Sequence, residues 1–333
     1  MFRKIGFFTL VTLMSAGSLA ETMDECLLLR LQQAADNSPV SEVHSFCRQQ
    51  LGESVILDEQ EIAASEISTP SGEDAVTYRL ASEDHSEANP FMLTPHRPNY
   101  LLFATYNTKT NEEPWTSIYP NAEMNDAEVK FQISFKARIM EDLLGAELWG
   151  AYSQQSWWQL YNDDESAPFR ETNYEPEIFL RWDTDFEILG FKNRTLRLGF
   201  THESNGRSEV LSRSWNRIVA GATLERGNLV MIGRAWYRIP EAAENDDNPD
   251  IAEYMGYGDI KILYKLDQQT LGMTLTNNLR SDNKGSVQLD WTFPLTDRFK
   301  GYVQYYNGFG ESLIDHDVST ERFGVGILLN DWL

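Results

Sequence analysis

Positive charge is scarce in this chain. Its 333 residues include 28 Lys and Arg against 51 Asp and Glu, which gives a net charge of −23. Proteins that bind nucleic acid need a basic face to neutralise the phosphates, so this balance argues against DNA or RNA as a partner. An excess of carboxylates suits the binding of divalent cations instead.

Long apolar runs are also missing beyond the N-terminus. No run there reaches the roughly 20 residues that a membrane-spanning helix needs, and the mean hydropathy is −0.44. Aromatic residues nevertheless make up 12% of the chain, with nine Trp and 14 Tyr, as is usual where rings lie at a membrane interface. A membrane protein of this composition would have to be a β-barrel, because the lumen and loops of a barrel can be polar.

Residues 1–20 have the three parts of a secretory signal. Two basic residues, Arg3 and Lys4, precede an apolar segment at 5–14, and small residues at 18–20 form a cleavage site. A membrane anchor is the alternative, but the apolar segment is too short for one. We therefore expect the chain to be exported to an oxidising compartment.

Cysteine is rare, and both cysteines lie in residues 21–90, an acidic segment with few aromatic side chains. Apolar residues at 23–35 have helical spacing. In an exported chain two cysteines favour one disulfide, Cys26–Cys47, closing a helical hairpin; free thiols and an intermolecular link are the alternatives. Residues 55–90 have little apolar periodicity and are predicted to be a linker.

A hydrophobic period of two begins at Asn99 and continues through the rest of the chain. Residues 128–140 show it most clearly, with apolar side chains on one face and polar or charged ones on the other. Most of the segments with this pattern are about ten residues long, the length that a tilted strand needs to cross a bilayer. Twelve candidate strands result: 99–107, 128–140, 145–160, 174–183, 194–204, 213–225, 229–239, 257–266, 269–280, 284–293, 299–308 and 321–332.

The number and the spacing of these strands indicate the fold class. An even count lets antiparallel strands close without edges. Short links such as Asp267-Gln268 alternate with long polar ones such as 240–254, as periplasmic turns alternate with extracellular loops. The sequence therefore predicts an all-β fold, a twelve-stranded antiparallel transmembrane β-barrel over residues 91–333. A soluble β-sandwich is the alternative, and it explains the charged inner faces less well.

One predicted hairpin, at residues 194–225, contains the candidate catalytic residues. With the turn at its midpoint, His202 lies opposite Asn216 on the next strand. Ser204 shares the face of His202, because residues two apart on a strand point the same way. A hydroxyl, an imidazole and an amide on one patch are the parts of a Ser-His hydrolase with a neutral third member. A strand-capping histidine and a serine in turn chemistry are the alternatives.

The parity of this strand predicts where the patch faces. The even-numbered face of 194–204 is apolar up to Phe200, and the odd-numbered face carries Arg and Thr. In a barrel the apolar face meets lipid, so His202, Ser204 and Asn216 should lie on the outer wall, at the rim of the apolar band. Polar groups facing lipid are costly to keep, and a lipid substrate would explain them.

Six motifs resemble those of the outer membrane phospholipase A family. The resemblance extends over about residues 89–333, and residues 21–88 lie outside it. It implies a twelve-stranded barrel in the bacterial outer membrane. It also implies a calcium-dependent acyl hydrolase of broad phospholipid specificity, active as a homodimer with its site at the outer-leaflet side. The motifs are HESNGRS at 202–208, SRSWNR at 212–217, SWWQL at 156–160, PFRETNYEP at 168–176, DDNPDI at 246–251 and GFGESLID at 308–315.

The same resemblance implies the catalytic roles. Ser204 would be the nucleophile, His202 the general base and Asn216 the residue that orients it, while the Gly206 amide and a calcium-bound water would meet the oxyanion. An asparagine can fix the histidine tautomer but brings no negative charge to stabilise the imidazolium. Most of the charge stabilisation would therefore be needed at the oxyanion, where a hard cation with oxygen ligands can supply it.

The calcium ligands and the dimer contact also follow from the resemblance. It implies one Ca²⁺ per active site, held by the carbonyl of Arg207, by Ser212 and by Ser166 of the partner subunit, with support from Asp247. It places Gln154 at the dimer interface. The solvated loop around Asp247 and a water contact of Gln154 at the rim are the alternative interpretations.

Glu209 departs from the pattern, because an aspartate is expected there near the calcium loop. The carboxylate is kept but has a longer reach, which affects a calcium site held by one subunit more than it affects the catalytic groups. Two competing functions remain open from the sequence. One is a porin or structural barrel with a degenerate site, and the other is an outer-membrane protease with an acid-base site on its loops.

Overall fold

The computed structural model describes residues 75–87, 92–121, 123–296 and 298–331. The predicted signal at 1–20, the helical hairpin and the Cys26–Cys47 disulfide lie outside the described residues. The described residues form three α-helices: α1 (Ala75–Glu87), α2 (Glu113–Thr116) and α3 (Ile251–Met255). No helix in the described ranges is both long and apolar enough to cross a membrane.

Twelve antiparallel strands close a barrel, which confirms the predicted fold. Each strand pairs with the next, and the last pairs with the first barrel strand. A two-residue strand, β1 (Thr94–Pro95), adds to β3. The barrel strands are β2 (Asn99–Asn107), β3 (Ala127–Leu143), β4 (Ala146–Trp158), β5 (Phe169–Ile188), β6 (Phe191–Ser204), β7 (Ser214–Arg226), β8 (Leu229–Arg238), β9 (Gly258–Leu266), β10 (Gln269–Asn277), β11 (Gly285–Pro294), β12 (Lys300–Phe309) and β13 (Ser319–Asn330).

The outer wall is apolar because side chains alternate across every strand. On β6 the exposed residues Leu196, Leu198 and Phe200 alternate with inward-facing residues such as Arg197. The same alternation runs around the barrel. Exposed apolar side chains on other strands include Ile133, Ile178, Ile218, Ile260, Leu271, Leu289, Trp291 and Phe323.

Paired charges cross the lumen. Arg170 contacts Glu128 at 3.1 Å and Asp315 at 2.7 Å, and all three side chains are buried. Glu311, in the loop after β12, pairs with Lys130 and Arg322. Burial favours its neutral form, but these two cations lower the pKa of Glu311 to about 2. Buried charges need such partners, and a lumen crossed by ion pairs argues against an open pore.

Helix α1 corrects the linker prediction for part of residues 55–90. It packs with the barrel in one unit, Glu73–Leu333. Val76 joins Val230 and Leu263 in an apolar cluster, and its backbone N–H donates to Glu225 at 2.9 Å. The helix lacks a strong apolar stripe because it also packs against charged lumen residues, with Glu83 contacting Lys136 and Arg181. Periodicity therefore could not reveal it.

Candidate active site

The β6–β7 hairpin has the predicted register. His202 is paired with Asn216, and Ser204 with Ser214. The inner side of the hairpin is fixed by Glu203, which accepts hydrogen bonds from Trp215 at 2.9 Å and from Arg217 at 2.6 Å. These contacts hold the strands from within the barrel, so the even-numbered side chains present a defined outer face.

His202 and Asn216 are in contact on the outer face. The distance between Nδ1 of His202 and Oδ1 of Asn216 is 2.9 Å, and both side chains are half-buried. Ser204 is also half-buried and lies two residues along the same face. Among the described residues, no hydrogen bond joins the Ser204 hydroxyl to the imidazole. The hydrogen bond at Nδ1 fixes the ring and leaves Nε2 for another partner.

Glu241 contacts the other side of Asn216 and was not among the residues predicted from the sequence. The Asn216 Nδ2 donates to Glu241 Oε1 at 3.1 Å. Glu241 lies in the loop between β8 and β9, two residues beyond the Ile239 amide that donates to the Asn216 carbonyl. The sequence holds no signal for this contact, because it depends on how the loop returns over β7.

Asn205 organises the loop that follows Ser204, and this role was also missed. Its side chain is only 4% exposed. Its Nδ2 donates to the Leu211 carbonyl at 2.8 Å, and its Oδ1 accepts from the amides of Arg207 and Arg213 at 3.3 and 3.0 Å. A single amide therefore ties both ends of the loop together. The Asn-Gly pair after Ser204 could have indicated this role, because Asn side chains commonly bond nearby backbone in turns.

Gly206 presents a backbone amide beside Ser204. Its φ of +65° lies in the left-handed region, and a Cβ at this position would lie 3.2 Å from the ring of Tyr174. Within the described part of the chain no acceptor takes the Gly206 amide hydrogen. The amide is therefore free to donate to a ligand.

The predicted calcium ligands are partly brought together. Ser212 Oγ donates to Asp247 Oδ2 at 2.6 Å, so these two oxygens are close enough to bind the same ion. The Arg207 side chain donates to two backbone carbonyls of β5 at 3.0 Å, which fixes the residue whose carbonyl is the third predicted ligand. Glu209 is exposed with a φ of +55° and joins neither contact.

No group of three or more His, Cys, Asp and Glu side chains that could hold a metal occurs in the described ranges. The donors here are instead one carboxylate, one hydroxyl and backbone carbonyls, which is a hard oxygen set of the kind that calcium takes. Ser166 lies in the loop between β4 and β5 with a φ of +60°. Its hydroxyl has no hydrogen-bond partner among the residues described.

The β8–β9 loop holds Asp247 in place through its neighbours. Asn248 is buried, and its Oδ1 accepts from the backbone amide of Ser214 at 3.0 Å. The Arg238 side chain donates to Asp246 and to the Pro249 carbonyl. The loop is therefore anchored on β7 and β8, next to the candidate triad.

Three polar residues on neighbouring strands, Gln154, Tyr174 and Ser204, form a row across the outer wall, which we call the polar row. Tyr152 donates to Gln154 at 3.1 Å, and Gln154 donates to Ser156 at 3.2 Å. Gln154 is paired with Tyr174 on β5, which is itself paired with Ser204 on β6. The row therefore connects the predicted dimer contact with the candidate nucleophile.

A cavity of about 270 Å³ lies in the lumen and not at the candidate triad. Arg97, Phe179, Arg197 and Lys261 are among its lining residues, and none of the three triad residues lines it. This cavity is therefore separate from the candidate triad on the outer wall.

Comparison with known proteins gives the family. The family model for phospholipase A1 matches residues 76–329. The chain is 41% identical over 251 residues to the phospholipase A1 of Klebsiella pneumoniae, covering 75% of this chain and 85% of that protein. It is 41% identical over 245 residues to the phospholipase A1 of Escherichia coli K12, covering 73% and 83%. The family model's match begins at residue 76, ahead of residue 89, where the motif resemblance was predicted to begin. The matched part therefore includes α1.

Comparison with solved structures points to the same family. The outer membrane phospholipase A of Escherichia coli has a TM-score of 0.69 and 40% identity, over 73% of this chain and all of that chain. The Salmonella typhi outer membrane phospholipase, a dimer with bound calcium, has a TM-score of 0.70 and 39% identity, over 75% and 96%. With matches of this extent added to the closed twelve-stranded barrel, the chain belongs to the phospholipase A1 family and is an ester-hydrolysing enzyme of the bacterial outer membrane.

Proposed function

We propose that this outer-membrane phospholipase hydrolyses the acyl esters of phospholipids and lysophospholipids with a Ser204-His202-Asn216 triad, depends on calcium, and is activated by homodimerisation. The observation that carries the proposal is the 2.9 Å contact between His202 Nδ1 and Asn216 Oδ1 on the lipid-facing wall, beside Ser204. A hydrolytic triad at that place can reach a lipid ester without removing the lipid from the membrane.

The triad residues divide the proton transfers among them. Asn216 Oδ1 accepts the Nδ1 hydrogen of His202, which leaves Nε2 as the base. Ser204 Oγ attacks the acyl carbonyl carbon while its proton passes to Nε2. Collapse of the tetrahedral intermediate breaks the acyl C–O bond, and Nε2 returns the proton to the leaving glycerol oxygen. Water then repeats the sequence and releases the fatty acid.

The free amide of Gly206 supports an oxyanion role. It lies two residues beyond Ser204, and no described residue accepts its hydrogen. Preorganised backbone donors of this kind stabilise the charge that develops on the carbonyl oxygen. The Tyr174 ring leaves little room for a side chain at position 206, since a Cβ there would lie 3.2 Å from it.

The loop oxygens support calcium as the cofactor. The Arg207 carbonyl, Ser212 and Asp247 would hold the ion, and when bound it would polarise a water or the substrate carbonyl. Calcium takes six to eight oxygens, more than the three ligands named here, so further ligands are needed. The family resemblance implies that Ser166 of the partner subunit is one of them, and the calcium-bound dimer of the Salmonella typhi relative is consistent with this.

The polar row supports a dimer interface at Gln154. An amide on a lipid-facing wall gains from a hydrogen bond with a second barrel. Since the row leads to Ser204, a partner barrel seated on it would also flank the triad. Dimerisation and catalysis would then be coupled through one surface.

Release of fatty acid from phospholipid in mixed detergent micelles tests the proposal. Wild-type protein should be active with calcium and inactive with excess chelator, and activity should return when calcium is restored. Ser204→Ala should be inactive in both conditions. Equal activity with and without the chelator would contradict the calcium requirement.

A further inference from the structure

We infer that Glu241 is a positioning residue for the His202–Asn216 pair, fixing the Asn216 amide and supplying the negative charge that the triad itself lacks. The inference rests on the triad proposed above. It starts from one contact, the 3.1 Å hydrogen bond from Asn216 Nδ2 to Glu241 Oε1.

Glu241 sets the orientation of the Asn216 amide. An ionised carboxylate only accepts hydrogen bonds, whereas an asparagine side chain has one accepting and one donating end. The donating end must therefore face Glu241, and the accepting Oδ1 must face His202, where it lies 2.9 Å from Nδ1. Nδ1 then carries the hydrogen, and Nε2 is the unprotonated nitrogen that a general base needs. Without Glu241 the amide could turn over and present its NH₂ group to the ring.

Glu241 also brings charge. No Lys or Arg forms an ion pair with it in the part of the chain that the structure describes. The carboxylate is half-buried, so its charge is less screened than that of a fully exposed group. Through Asn216 this charge favours the imidazolium that forms when His202 takes the proton from Ser204.

The backbone around Glu241 is held against the strand that carries Asn216. The Ile239 amide donates to the Asn216 carbonyl at 2.8 Å, and Pro240 follows with a fixed φ. After Glu241 the loop turns back, since the Asn245 amide donates to the Ala242 carbonyl at 2.8 Å. Glu241 is therefore placed by main-chain contacts and does not depend on a freely moving loop.

The contact also bears on the choice of residue at position 216. An aspartate there would place a second carboxylate about 3 Å from Glu241, the spacing at which two carboxylates do not both ionise. A neutral amide avoids this repulsion and still transmits the hydrogen bond. The negative charge is then separated from the histidine by two hydrogen bonds, through Asn216, whereas in a Ser-His-Asp triad the carboxylate contacts the histidine directly.

Steady-state kinetics of Glu241 variants on phospholipid micelles with saturating calcium test the inference. Glu241→Ala should lower kcat about tenfold, the effect of one hydrogen bond to a charged group, and leave KM unchanged. The acidic limb of its kcat profile should move to lower pH, because the imidazolium loses a stabilising charge. Glu241→Gln should recover most of kcat while keeping the shifted limb, since its amide oxygen accepts the same hydrogen bond without the charge.

Two comparisons separate positioning from folding. Glu244 is exposed in the same loop, and Glu244→Ala should match wild type. In an Asn216→Ala background, Glu241→Ala should have no further effect. The inference is overturned if Glu241→Ala has wild-type kcat and pH profile, or if it lowers kcat by the same factor in the wild-type and Asn216→Ala backgrounds.

The same variants distinguish failure of the inference from failure of the triad. If Asn216→Ala is itself fully active, the triad is wrong. If only Asn216→Ala is impaired, the triad stands and the role of Glu241 does not.

Asn216→Asp gives a second, independent test. It should lose kcat in the presence of Glu241, and Glu241→Gln should restore part of it by removing the repulsion. An Asn216→Asp enzyme that is as active as wild type, or is not helped by the second substitution, contradicts the contact.

Discussion

At the scale of single residues, the site depends on small polar groups with one defined orientation. Asn216 faces His202 on one side and Glu241 on the other, and Asn205 ties both ends of the neighbouring loop. An amide can do this because it donates and accepts at fixed positions. Asparagine therefore has two roles around Ser204: it orients the proposed base and it shapes the neighbouring loop.

Substitution of Gly206 tests the oxyanion role. Gly206→Ala strains a backbone with φ +65° and brings a Cβ against Tyr174, which should turn the amide away from the substrate oxygen. Loss of one oxyanion donor costs roughly 10²–10³ in kcat, and we expect a fall of that order in fatty-acid release. Gly227→Ala is the matched control, because it has φ +56° but no neighbour within 4 Å and lies in the β7–β8 turn. Equal loss in both variants would point to folding rather than to catalysis.

At the scale of elements, α1 is held in the barrel by a buried ion-pair cluster. Glu83 contacts Lys136 at 2.7 Å and Arg181 at 2.8 Å, and all three side chains are less than a tenth exposed. Arg79, on α1 itself, also pairs with Glu83 at 3.0 Å. Removing the acid leaves three cations without this partner, which is far costlier than removing a surface charge. The helix and the barrel wall therefore depend on each other.

Glu83→Ala should destabilise the folded barrel by about 3–5 kcal/mol. Asp84→Ala should change the free energy of unfolding by under about 1 kcal/mol, since that side chain is 61% exposed and lies 3.8 Å from Arg138. Denaturant unfolding in detergent micelles, followed by tryptophan fluorescence, measures both. Similar midpoints for the two variants would show that α1 does not stabilise the barrel. Specific activity per folded molecule should stay unchanged, because in the described structure α1 meets β7 at Glu225, at the opposite end of the strand from Asn216.

At the scale of the whole molecule, the barrel fixes which groups meet lipid. All twelve strands and the His202–Asn216 pairing were predictable, because a period of two determines both the strand and the face of every residue on it. Helix α1 was not, since a polar lumen buries a helix without an apolar stripe. Glu241 was missed because its contact depends on tertiary anchoring of a loop, for which a single sequence has no periodic signal. The role of Asn205 was indicated only by the local Asn-Gly pair.

The polar row should control assembly of two barrels. Gln154→Leu should weaken the dimer several-fold by removing an outer-wall amide, whereas Leu289→Ala on β11, across the barrel, should leave it unchanged. Sedimentation or cross-linking in detergent with calcium measures the monomer–dimer equilibrium. If both variants dimerise like wild type, Gln154 is not at the interface.

The identity of the nucleophile is tested most directly by comparing two serines that face each other on the same hairpin. Ser204 and Ser214 are paired across β6 and β7 and share the outer face. The rate of fatty-acid release should fall to background in Ser204→Ala and stay near the wild-type rate in Ser214→Ala, with calcium present and both proteins folded. Substantial hydrolysis by Ser204→Ala would contradict the triad, and so would an equal loss in both variants.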